Sequence, residues 1–96
     1  GALLIGGTVV GRGAEIGPRA RLDGAVIFDG AVVEAGAVVE RSIVGFGARV
    51  GPRALIRDTV IGDGADIGAR CELLRGARVW PGIQIPDNGV RFSTDV

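Results

Sequence analysis

The stretch Val44-Gly45-Phe46-Gly47-Ala48-Arg49-Val50-Gly51-Pro52-Arg53-Ala54-Leu55-Ile56-Arg57-Asp58-Thr59-Val60-Ile61 decides the fold. Its large aliphatics, Val44, Val50, Ile56 and Ile61, are six, six and five residues apart. The same spacing runs outward in both directions through Ile5, Val10, Ile16, Leu22, Ile27, Val33 and Val39, and on to Ile67 and Leu73. The unit is therefore 17 residues long, with Ile5, Leu22, Val39, Ile56 and Leu73 opening successive coils. A small residue precedes most aliphatics by two: Ala14, Ala20, Ala31, Ala37, Ala48, Ala54, Ala65 and Cys71. Such self-similarity at a fixed period marks a solenoid.

A six-residue step is too short for a strand, a helix and a return. It suits one short strand and one corner. Three steps carry the chain once around a triangle and stack it on itself, with parallel strands about 4.8 Å apart. Aliphatics fill the interior, and the small residues fit where the corners narrow. Gly13, Gly30, Gly47, Gly64 and Gly82 fall on one corner, where positive φ is expected. In the five-residue step the missing residue is assigned to the corner. Thr8, Ala25, Ser42 and Thr59 then point inward, and Val9, Val26, Ile43 and Val60 point outward.

This hexapeptide pattern resembles the left-handed parallel β-helix family, and the hand comes from that resemblance. The resulting architecture is all-β: about five triangular coils over residues 1–86, then a turn and tail over 87–96 that is expected to cap the open end. Leu73 to Val79 departs from the rule, being six residues where five are expected. The chain lacks Met and begins inside a repeat, so it is read as a piece of a longer protein.

The three faces differ. One shows Val9, Val26, Ile43 and Val60, with Phe28 and Trp80 beside them and Phe46 at the corner. These seven residues are the candidate interface. A second face shows Glu15, Val32, Arg49 and Asp66 and is expected to be solvated. The third shows Arg21, Val38, Leu55 and Glu72, and is mixed.

Chemistry is sparse. Eleven basic residues, all Arg, balance eleven acidic ones, so no net field attracts nucleic acid or an anionic membrane. No apolar run approaches the roughly 20 residues of a membrane helix. Left-handed β-helices are commonly acyltransferases that use a His base, or carbonic anhydrases that hold zinc with three His; this chain has no His. Its single Cys, Cys71, sits in an inward small-residue slot and is read as core. Asp58, Asp63 and Asp66 fall on different faces or corners and do not suggest a cation site. Arg19, Arg53 and Arg70 share a corner interrupted by Gly36 and are read as a solubilising edge. No catalytic, cofactor-binding or metal-binding residue is assigned.

Glu40-Arg41-Ser42-Ile43-Val44-Gly45, Arg57 through Ala65, Val79-Trp80-Pro81-Gly82, Ile85-Pro86-Asp87 and Val90-Arg91-Phe92-Ser93 resemble the carboxy-terminal β-helix of sugar-1-phosphate nucleotidyltransferases. The likeness is greatest to the mannose-1-phosphate guanylyltransferases (GDP-mannose pyrophosphorylases) of actinobacterial type. That resemblance implies a cytoplasmic transferase whose amino-terminal domain binds nucleotide and magnesium. The β-helix would support homo-oligomer assembly and pack on that catalytic domain, while being inactive alone. Thymidylyl-, uridylyl- and adenylyltransferases of similar build, and a free-standing scaffold, are the alternatives.

Overall fold

The computed structural model describes residues 1–92; the side chain of Phe92 and residues 93–96 lie outside that description. Among the described residues, sixteen strands of two or three residues form three parallel sheets. The six-stranded sheet holds β1 (Leu3–Ile5), β4 (Arg21–Asp23), β7 (Val38–Glu40), β10 (Leu55–Arg57), β13 (Glu72–Leu74) and β16 (Val90–Phe92). The second sheet holds β2 (Val9–Val10), β5 (Val26–Ile27), β8 (Ile43–Val44), β11 (Val60–Ile61) and β14 (Arg78–Val79). The third holds β3 (Glu15–Ile16), β6 (Val32–Val33), β9 (Arg49–Val50), β12 (Asp66–Ile67) and β15 (Gln84–Ile85). The chain visits the sheets in turn, which makes a triangular β-helix of extents 29 × 20 × 19 Å.

The register is the 17-residue period made physical. Leu22 pairs with Val39, Val39 with Ile56, and Ile56 with Leu73. Coil upon coil, these aliphatics and the small residues before them close a core from Ala20 to Ile85. In the five-residue step the corner is the shortened element: Ala25, Ser42 and Thr59 are buried. The two hydroxyls are satisfied there. Ser42 Oγ donates to the Glu40 carbonyl at 2.7 Å and accepts from the Thr59 amide at 3.0 Å. Thr59 Oγ1 lies 2.8 Å from the Arg57 carbonyl and 3.1 Å from that of Leu73. Among the described residues no buried side-chain polar atom lacks a partner, as a dry interior requires.

The corners turn through the left-handed region. Gly13, Gly30, Gly47, Gly64 and Gly82 have φ between 64° and 74°. A second corner uses Arg19, Arg53, Arg70 and Asn88 in the same conformation, at φ from 57° to 64°. An L-residue there costs roughly 1–2 kcal/mol. The ladder continues through the bend and holds it: Arg53 N donates to the Ala35 carbonyl and Arg70 N to that of Pro52. The corner arginines thus occupy the edge anticipated from the sequence, in a strained backbone that the neighbouring coils enforce.

The first coil departs from the expected register. Leu4, not Ile5, pairs with Leu22, and Ile5 pairs with Asp23. The cause is a longer corner: Gly6 and Gly7 both have positive φ, just as Arg75 and Gly76 do in the last coil. At the other end Arg91 pairs with Leu73, so an Arg stands in the register position of an aliphatic and the apolar column stops. β16 adds a strand after the Pro86–Gly89 turn; the rest of the tail, and with it the cap, lies outside the described residues.

Candidate interaction surface

A two-residue strand offers one inward and one outward side chain. On the second sheet Val10, Ile27, Val44, Ile61 and Val79 face in, and register stacks their predecessors outward. Val9 pairs with Val26, Val26 with Ile43, and Ile43 with Val60. Four aliphatics therefore form one unbroken outward column. Val9, Ile43 and Val60 are exposed, and Val26 is half-buried.

The aromatics lie along one margin in two groups. Phe28 and Phe46 stack, with ring centroids 4.8 Å apart and planes inclined by 29°. Trp80 lies at the far end of the sheet. There it lines a shallow cleft with Val60, Gly62, Arg78, Val79 and Pro81. The structure thus joins the column to the Phe pair at its middle and to Trp80 at its end, but does not bring Trp80 to the phenylalanines.

Arg78 was not among the expected surface residues. It pairs with Val60 and ends the column with a charge. The signal lay in the six-residue step from Leu73 to Val79: the extra residue lengthens the corner, places Ala77 inward, and hands the outward slot to Arg78.

Gly11, Gly45 and Gly62 carry the coil past this margin. A Cβ on Gly45 would stand 2.5 Å from Asp63 Oδ1 and 2.7 Å from the Asp63 amide nitrogen. That carboxylate accepts the Phe46 amide at 3.0 Å, and Asp29 accepts the Arg12 amide at 2.8 Å. The glycine makes room for an Asp that ties one corner to the next and holds the Phe46 backbone in place.

The other faces are stitched by ion pairs. On the third sheet Arg49 bonds Asp66 at 2.7 Å and contacts Glu34. On the six-stranded sheet Glu40 sits between Arg57, at 2.7 Å, and Arg21, at 3.6 Å. At its corner Arg41 bonds Asp58 at 2.8 Å, and that hydrogen bond, with the positive charge behind it, holds the Asp58 carboxyl below the usual range. Asp58, Asp63 and Asp66 therefore each have a separate partner. Among the described residues no group of three His, Cys, Asp or Glu converges on a metal position. Cys71 is buried, with Sγ 3.1 Å from the Pro86 carbonyl. No helix among the described residues is long and apolar enough to cross a membrane.

Comparison with known proteins fits this architecture. The family described as GMPPB C-terminal domain matches residues 1–92. A mannose-1-phosphate guanylyltransferase of Mycobacterium tuberculosis is 82% identical over all 96 residues. The chain spans 27% of that relative's length. Among solved structures, a hexapeptide transferase family protein from Anaplasma phagocytophilum superposes with a TM-score of 0.62 at 17% identity. The overlap covers 95% of this chain and 66% of that one, and establishes a shared parallel β-solenoid fold.

Proposed function

The chain belongs to the GMPPB C-terminal domain family, and from that membership we propose that it is the assembly domain of a cytoplasmic mannose-1-phosphate guanylyltransferase. In this reading the whole protein joins GTP to mannose 1-phosphate, releases pyrophosphate and yields GDP-mannose. A catalytic domain outside this chain binds the nucleotide and magnesium. The name of the Mycobacterium relative supports the choice of substrate.

One observation carries the assembly role: the unbroken outward column Val9, Val26, Ile43 and Val60, bordered by the stacked Phe28 and Phe46. Contiguous apolar surface of this kind marks a contact site. Burying such side chains supplies on the order of 1 kcal/mol each when half covered.

Two forms of the protein test the proposal. The 96-residue chain, incubated with GTP, mannose 1-phosphate and magnesium, releases no pyrophosphate above a buffer blank. The enzyme with this segment deleted has fewer subunits per particle by light scattering than the intact enzyme. Turnover by the chain alone refutes the placement of the chemistry elsewhere, and an unchanged number of subunits refutes the assembly role.

A further inference from the structure

We infer that the Val9–Val60 face binds the same face of a second copy in antiparallel orientation, with Ile43 meeting Ile43 of the other copy on the two-fold axis. The inference rests on reading this face as an assembly contact, and it adds the partner and the geometry. The sheet has five rungs in the order β2, β5, β8, β11, β14, so Ile43 on β8 is the middle one. The outward column runs Val9, Val26, Ile43, Val60, Arg78, with its one charge at one end.

Two face-to-face arrangements have two-fold symmetry, since an isologous contact sets one patch against itself. A parallel one pairs every rung with its own copy and places Arg78 against Arg78, two like charges at a desolvated contact. An antiparallel one pairs rung one with five, two with four, and three with itself. Arg78 is then separated from its copy by the length of the column. The antiparallel arrangement also sets rung five, where Trp80 is 61% exposed beside Arg78, against the rung of Val9, 57% exposed, at the rim of the contact. The Phe46 margins of the two copies come together beside the axis.

Area also favours a second copy. Five rungs at about 4.8 Å make a face about 24 Å tall, and the prism is 20 Å wide. Each copy therefore offers about 500 Å², and two copies bury roughly 1,000 Å² in total, the threshold for a specific contact.

Cysteine scanning in the full-length enzyme tests the geometry, because Cys71 is fully buried and reacts slowly. Ile43→Cys alone is expected to give disulfide-linked dimers under mild oxidation at least about tenfold faster than Val26→Cys or Val60→Cys alone. Val26→Cys combined with Val60→Cys links as fast as Ile43→Cys. Equal linkage by each single variant means parallel packing and overturns the inference. No linkage above the wild-type background by any variant also overturns it. Light scattering on Val26→Arg combined with Ile43→Arg separates the levels: no linkage but a lost mass leaves the assembly role standing with a different partner, whereas no linkage and unchanged mass removes both.

Discussion

The sheet of β2, β5, β8, β11 and β14 and the sheet of β3, β6, β9, β12 and β15 share strand length, direction and stacking. Their interiors are alike: Ile27, Val44 and Ile61 in one, Val33, Val50 and Ile67 in the other, all buried. Outside they diverge. One shows Val9, Val26, Ile43 and Val60, ended by Arg78; the other shows Glu15, Val32, Arg49, Asp66 and Gln84, with Arg49 paired to Asp66 and Glu34. Identical backbones accept either set, so β-propensity does not demand valine on the outer surface. The fold is specified from within, and the outer faces are free to carry something else. On one face that is solvation; on the other it is the apolar column for which contact is proposed above.

The largest expected effect lies inside the charged face. Ala48 is buried one residue before Arg49, and Ala48→Leu overpacks the corner for a loss of ~1–3 kcal/mol in stability, read as a lower urea midpoint. Arg49→Leu breaks two exposed ion pairs and costs less, at most about 1 kcal/mol, with the deficit shrinking at high salt. If Arg49→Leu is the more damaging of the two, the inward and outward roles are misassigned. On the apolar face Ile43→Arg, at a partly exposed site, shifts the stability of the separate chain by no more than about 0.5 kcal/mol. A larger loss would mean that this face serves the coil itself. The smallest effect is at Asp58, whose depressed carboxyl pKa is due to the Arg41 hydrogen bond. The stabilisation is present above the ordinary carboxylate range and is lost as pH falls through the lowered value. Asp58→Asn removes that part of the acid slope, measurable as a flatter urea midpoint against pH.

Most of the fold was legible because a solenoid repeats its own evidence. Three middle coils, opened by Leu22, Val39 and Ile56, vote for each inward position, and the burial of Ala25, Ser42 and Thr59 shows that the corner and not the strand is short. The first coil had no such support. Leu3-Leu4-Ile5 offers three aliphatics in a row, and only the two-residue corner at Gly6 and Gly7 selects Leu4. The apolar column was legible once the short step was assigned to the corner, which turns Val9, Val26, Ile43 and Val60 outward. Arg78 was not legible because its outward slot depends on where the extra residue between Leu73 and Val79 is placed, and none of the three middle coils has a six-residue step there. The tie from Asp63 to the Phe46 amide over Gly45 was hidden for another reason: it joins residues a full coil apart through a gap that only coordinates reveal.

The most direct test of the difference between the two faces is the oligomeric mass of the full-length protein carrying Val26→Arg and Ile43→Arg. The matched control carries Arg49→Gln and Asp66→Asn on the charged face. Two charges on a surface that must become dry weaken association by at least about 2 kcal/mol, roughly thirtyfold, while circular dichroism stays unchanged. The account predicts that light scattering at micromolar concentration shows a smaller species for the first variant and the wild-type mass for the control. An unchanged mass in the first variant, or an equal fall in both, would contradict it.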